Sequence, residues 1–228
     1  MARQLAFDLP GAPSLRREDF MVTAANANAL RSLEGWDDWP GGKLALIGPP
    51  GSGKSHLVGI WAAETGATVL AGAALCNADI PTLAETGRVA VEDAAAVAGA
   101  PEAERALLHL HNHVLAGGGR LLLTAATAPA RWPVGLPDLA SRLAATATAH
   151  LEPPDDALLA AVLVKLFADR QIVVPPAVVG YLVARMERSL AAARDLVARL
   201  DRRALAEHRR IGLQLAAEVL DSPPGQGR

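Results

Sequence analysis

The segment GPPGSGKS, Gly48 to Ser55, decides how the rest of the chain is read. It follows the apolar run KLALI (Lys43–Ile47) and opens the helical stretch Lys54–Glu64, so a glycine-rich loop joins a strand to a helix. The spacing is G-x-x-x-x-G-K-S. Glycines let backbone N–H groups turn inward around a polyphosphate, and the helix that follows adds the positive end of its dipole. Gly48, Pro49, Pro50, Gly51, Ser52, Gly53, Lys54, Ser55 and His56 are therefore candidates to hold ATP or ADP. Lys54 would reach the β- and γ-phosphates, and the Ser55 hydroxyl would ligate Mg²⁺. A chance glycine turn before a lysine would not require strand, loop, Lys-Ser pair and helix to agree.

Working outward, ATVLA (Ala67–Ala71), RVAVE (Arg88–Glu92), RLLLT (Arg120–Thr124) and ATATAHL (Ala145–Leu151) read as further strands separated by helical stretches. Pro101–Ala116 is the clearest helix, with proline in its first turn, Glu102 and Glu104 at its positive end, and Gly117-Gly118-Gly119 as its stop. Such alternation predicts an α/β fold: a mainly parallel sheet covered by helices on both faces. A phosphate loop is usually served by an acid at the end of a neighbouring strand, and RVAVED supplies Glu92 and Asp93. Glu92 is the expected metal-side acid, acting on Mg²⁺. Asp93 is the expected residue to orient water, with shorter reach than glutamate.

After Glu152-Pro153-Pro154 the pattern turns helical, with Asp155 and Asp156, Pro175-Pro176 and Ser189 as predicted helix starts. Gln171–Val174 is the one short strand candidate there. The predicted organisation is residues 1–13 as a peptide and linker, 14–152 as the α/β unit, 153–221 as a small helical lid, and 222–228 as a disordered tail. The 228 residues are 51 % hydrophobic but only 4 % aromatic, so the core must rest on Ala, Leu and Val. Lys plus Arg number 22 against 24 Asp plus Glu, which gives no global attraction to nucleic acid. Cys76 is the single cysteine, which excludes an internal disulfide, suits a reducing compartment and reads as a small buried hydrophobe. No run approaches the ~20 apolar residues of a membrane span and no signal pattern opens the chain, so a cytoplasmic location is expected. His109 and His113 share a helix face that His111 does not, and nothing completes a metal set with them.

Two features need a partner to make sense. Arg142, in LPDLASRL (Leu136–Leu143), is either a surface arginine paired with Asp138 at i−4 or a finger aimed at another molecule's nucleotide. RQLAFDLP (Arg3–Pro10) alternates Leu5, Phe7 and Leu9 with small and acidic residues and then meets Pro10, Gly11 and Pro13. It is either an N-terminal strand or a tethered apolar comb.

GPPGSGKSHL, ALLHLHNHVLAGGGRLLLT, LPDLASRL and HLEPPDD occur in the order of motifs in the AAA+ module of the bacterial replication initiator DnaA, which the chain resembles over nearly its whole length. The resemblance is closer to the DnaA-related regulators of the Hda family, because the sequence stops near Leu220 where the initiator continues into a helix-turn-helix domain. It implies an AAA+ P-loop fold with a helical lid. It implies that Arg17–Leu30, with Phe20 and Val22, lies over the adenine, and that a sensor arginine falls near Ala191, flanked by Arg188 and Arg194. It implies that Gln4, Leu5, Phe7 and Leu9 dock on the DNA polymerase sliding clamp, that Arg142 serves as an arginine finger toward DnaA, and that replication initiation is thereby restrained. A homodimer stays open. Where the family has a polar pair after its sensor strand, this chain has Thr124 followed by Ala125 and Ala126. Together with Glu92-Asp93, that departure predicts a site that retains nucleotide, foremost ADP, better than it turns ATP over. Acids among the arginines of the last long helix predict weak or absent direct DNA binding. The rival expectations are an autonomous P-loop kinase or NTPase, and a DnaA-family adaptor that does not stimulate hydrolysis.

Overall fold

The computed structural model describes residues 17–222. Five strands, β1 (Lys43–Ile47), β2 (Thr68–Ala71), β3 (Arg88–Glu92), β4 (Arg120–Ala125) and β5 (Ala147–His150), form one sheet in the order β2-β3-β4-β1-β5. All four pairings are parallel, and the register sets Ile47 beside Ala125 and His150. Helices α1 (Ala27–Glu34), α2 (Lys54–Thr65), α3 (Ile80–Glu85), α4 (Pro101–Ala116) and α5 (Pro137–Ala144) accompany the sheet. Helices α6 (Asp156–Asp169), α7 (Pro176–Val183), α8 (Leu190–Glu207) and α9 (Leu213–Asp221) follow it.

The strand sequences explain the layering. With side chains alternating across the pleat, Ala45 and Ile47 of β1 join Val89, Val91, Leu121 and Leu123 on the face covered by α4 and α5. Leu44 and Leu46 join Ala90 and Leu122 on the opposite face, where α1 and α2 bring Leu30, Leu33, Leu57 and Trp61. Both faces are dry, which is why KLALI and RLLLT read as continuous apolar runs. Trp39 and Trp61 stack at 5.3 Å, so half of the tryptophans do the work that abundant phenylalanine does elsewhere. The helices after Leu151 have a separate core of Leu159, Leu163, Phe167, Leu182, Val197 and Leu200. Their starts follow the expected capping chemistry: the Asp155 carboxylate accepts from the Leu158 N–H at 2.7 Å, and Ser189 Oγ from the Ala192 N–H at 3.3 Å.

Three expectations are corrected. Gln171–Val174 is not a strand. Gln171 reverses the chain at φ 59°, Ile172 and Val174 pack on the lid core, and Val173 is 94 % exposed. β5 begins at Ala147 rather than Ala145, because Ala145 still caps α5 and the Thr146 hydroxyl donates back to the Arg142 carbonyl at 3.1 Å. Cys76 is exposed, since Leu75 takes the inward position in the 3-10 turn Gly72–Asn77.

Glu104 is a buried acid on α4, 3 % exposed, and its carboxylate accepts N–H bonds from Gly99 (2.9 Å), Gly135 (3.0 Å) and Leu136 (2.9 Å). Burial opposes ionisation, but the N–H donors of Gly135, Gly99 and Leu136 outweigh it and hold the carboxyl below the ordinary glutamate value of 4.5. Such a group stabilises the fold fully above the unfolded pKa and loses that contribution as pH falls through the folded one. Glu104→Ala should therefore cost about 2–3 kcal/mol in urea unfolding at pH 7. The gap to wild type should shrink as the pH is taken below 4.5.

Candidate nucleotide site and the arginine at the far edge

The loop after β1 leaves the sheet between its two neighbours: the Gly48 N–H donates to the Ala125 carbonyl at 3.1 Å, and the Leu151 N–H to Ile47 at 2.7 Å. Gly51 (φ 71°) and Gly53 (φ 105°) take left-handed conformations that side chains resist. Through them the chain turns tightly into α2, whose first residue is Lys54. Among the described residues, no group accepts from the backbone N–H of Gly51, Gly53, Lys54 or Ser55. Ser52 Oγ is buried and likewise without a partner. These are the donors an anion at a helix N-terminus would take. Lys54 Nζ meanwhile donates to the loop's own carbonyls, Gly48 at 2.8 Å and Pro49 at 2.9 Å.

The two acids stand where the ammonium feels them. Burial lowers the Lys54 pKa, and the charges of Asp93 and Glu92 act against that shift. β3 ends at Glu92, and Asp93 follows at φ 48°, a left-handed conformation that aspartate tolerates. The Thr124 hydroxyl accepts from the Asp93 N–H at 3.0 Å, so this threonine is occupied in fastening β3 to β4. Phe20, 7 % exposed, meets the His56 ring edge-on at 5.2 Å beside Gly53. Val22 is 49 % exposed, two residues along the same segment. Asn26 braces that segment: its Oδ1 accepts from the Thr23 N–H and its Nδ2 donates to Met21 O, both at 2.9 Å.

Sequence inspection missed how closely the lid approaches. The Leu190 N–H donates to the Gly51 carbonyl at 2.8 Å, and a Cβ built on Gly51 would lie 2.0 Å from Ser189 Oγ. The first turn of α8 thus rests on the phosphate loop. Its only sequence signal was Ser189, recognised as a cap. Arg188 and Arg194 flank this turn; both are exposed, and Arg188 pairs with Asp156 at 2.7 Å.

Arg142 lies elsewhere. It is on α5, which leads into the start of β5, and its carbonyl accepts from Lys43 Nζ, the first residue of β1, at 2.7 Å. The phosphate loop leaves from the other end of β1, roughly 13 Å away along a five-residue strand. Arg142 Nη2 donates to Asp138 Oδ2 at 3.1 Å, as the i−4 spacing suggested, while its Nε is buried without a partner. Gln4, Leu5, Phe7 and Leu9 fall outside the described residues. No described helix is long and apolar enough to cross a membrane.

A five-stranded parallel sheet in this order, a phosphate loop after β1, the strand between β4 and β5, and a helical lid on that loop define the AAA+ fold. Solved structures share this fold. Domain III of the replication initiation protein DnaA from Thermotoga maritima superposes with a TM-score of 0.76 at 19 % identity, over 92 % of this chain and 97 % of that one. DnaA from Aquifex aeolicus, solved with AMPPCP bound, matches at 0.68 and 14 % identity over 83 % of this chain and 66 % of that one. The Holliday-junction branch migration motor RuvB of Thermotoga maritima matches at 0.64 and 17 % identity, over 85 % and 65 %. No protein-family model matches the chain.

The lid contact has a direct test. Gly51→Ala forces a methyl into Ser189, whereas Gly66→Ala, also at positive φ (70°), meets nothing within 4 Å. Both substitutions carry backbone strain. Gly51→Ala should cost about 1–3 kcal/mol more than Gly66→Ala in thermal unfolding and should expose the Leu190 amide to hydrogen exchange.

Proposed function

We propose that this chain is a DnaA-related AAA+ regulator of replication initiation, of the Hda kind, that holds a nucleotide itself and promotes hydrolysis of the nucleotide held by DnaA. The observation that carries this reading is the separation of the phosphate loop from Arg142 at opposite ends of β1. An arginine at that edge is out of reach of its own loop but free to enter a neighbouring molecule's site. The fold shared with DnaA domain III supports the initiator as that neighbour.

In this reading ADP or ATP lies along the free N–H groups of Gly51, Gly53, Lys54 and Ser55, and Lys54 exchanges its two loop carbonyls for phosphate oxygens. Ser55 and Glu92 would hold Mg²⁺, which when bound neutralises phosphate charge. Glu92 is long for that task, Asp93 is short for activating water, and Thr124 is already engaged by the Asp93 N–H. Turnover in the chain's own site is accordingly slow. Arg142 would leave Asp138 and place its guanidinium against the γ-phosphoryl of DnaA-bound ATP, where charge develops as the bond to the bridging oxygen breaks. A finger supplied in trans contributes about 10³–10⁵-fold in well-characterised nucleotide hydrolases.

Arg142→Ala should retain ADP binding yet lose stimulation of DnaA ATP hydrolysis on clamp-loaded DNA. Wild-type stimulation by the variant removes the finger from the account. Steady turnover by this chain without DnaA would instead favour an autonomous NTPase.

The peptide Gln4–Leu9 would tether the molecule to the sliding clamp by filling an apolar groove with Leu5, Phe7 and Leu9. Each such side chain contributes about 1.5–3 kcal/mol before ordering costs. Replacing Leu5 and Phe7 by alanine should abolish calorimetric binding to the clamp. Unchanged affinity would return the segment to an internal packing role.

A further inference from the structure

α5, which carries Arg142, has eight residues, just over two turns. A helix this short does not hold itself together in water, so its geometry must be imposed from outside. It begins with Pro137 and has no side-chain cap of its own.

Two buried charged groups supply what is missing. At the N-terminal end the Glu104 carboxylate accepts the N–H groups of Gly135 and Leu136, the two residues that lead into the helix. At the C-terminal end Lys43 Nζ donates to the carbonyl of Arg142 itself at 2.7 Å, a cation at the negative pole of the helix. Lys43 is only 7 % exposed, and among the described residues no carboxylate pairs with it. Its other partner is His111 Nε2, at 3.2 Å. The His111 Nδ1–H donates to Asn112 Oδ1 at 3.3 Å, which leaves Nε2 as the acceptor for the ammonium. Glu104 and His111 sit seven residues apart on α4 and so share the face turned to α5. An unpaired buried ammonium is costly, and an apolar residue would begin β1 without that penalty. What the ammonium holds is the backbone of Arg142.

We propose that Lys43 and Glu104 are positioning residues that fix the two ends of α5 and so pre-aim the Arg142 guanidinium at a partner's nucleotide. This rests on Arg142 acting in trans. A finger stabilises charge only within hydrogen-bond distance, and a displacement of about 1 Å can cost as much as ~10²-fold in rate.

The experiment uses the full chain, DnaA preloaded with ATP, and sliding clamp on DNA. Lys43→Met should lower the maximal hydrolysis rate roughly tenfold or more, leaving the half-saturating concentration and the chain's own ADP affinity unchanged. Lys43→Arg, which keeps a donor, should recover most of the rate. A wild-type maximal rate for Lys43→Met overturns the proposal. So does a parallel loss of ADP affinity, which would mark general loosening of the fold. If Lys43→Met does not fold, Glu104→Gln decides: it removes one of the two carboxylate oxygens that hold the Gly135 and Leu136 N–H groups while keeping the shape of the side chain, and an unchanged maximal rate overturns the proposal. Arg142→Ala alongside separates the two failures. If it loses stimulation while Lys43→Met does not, the finger stands and the mount falls; if it stimulates normally, the finger reading itself is wrong.

Discussion

A parallel sheet has a direction, and β1 turns that direction into a division of labour. Its carboxyl end launches the loop in which, among the described residues, the N–H groups of Gly51, Gly53, Lys54 and Ser55 have no acceptor. Its amino end carries the ammonium under the carbonyl of Arg142. Because β1 lies between β4 and β5 with both faces buried, neither end can shift without moving the centre of the sheet. Loop and arginine are therefore held apart by a strand buried on both faces. That fixed separation is the constraint on which the proposed role toward another molecule rests.

The lid adds a second coupling. Gly51 gives its carbonyl to the Leu190 amide and lies against Ser189, so the conformation of the phosphate loop and the seating of α8 are one variable. Lys54, bound to two loop carbonyls, must release them before it can serve a phosphate. Nucleotide would thus act on the lysine, the loop and the lid together. The lid's own apolar core lets it respond as a unit.

Much of this was legible in the residues, because the decisive signals are local. The glycine pattern of the loop, the continuous apolar runs of β1 and β4, the proline at the start of α4 and the caps at Asp155 and Ser189 each follow from chemistry within a few positions. What escaped is non-local. Nothing adjacent to Lys43 announces that its amine ends on Arg142, 99 positions away, or that Glu104 gathers N–H groups from two loops. Gln171–Val174 and Cys76 misled for the opposite reason. Apolar character suggested a strand in the one and burial in the other, but Ile172, Val174 and Leu75 fill the inward positions and leave Val173 and Cys76 exposed. The acids Glu92 and Asp93 were found, whereas the engagement of Thr124 by the Asp93 amide required the register of β3 on β4.

Whose nucleotide is consumed is the question on which the account turns. The direct measurement is single-turnover hydrolysis of labelled ATP bound to DnaA, on clamp-loaded DNA, titrated with this protein preloaded with ADP. The account predicts a saturable acceleration of DnaA's own ATP while the ADP on this chain stays in place. A rate independent of added protein, with ATP instead consumed on this chain alone, would contradict it.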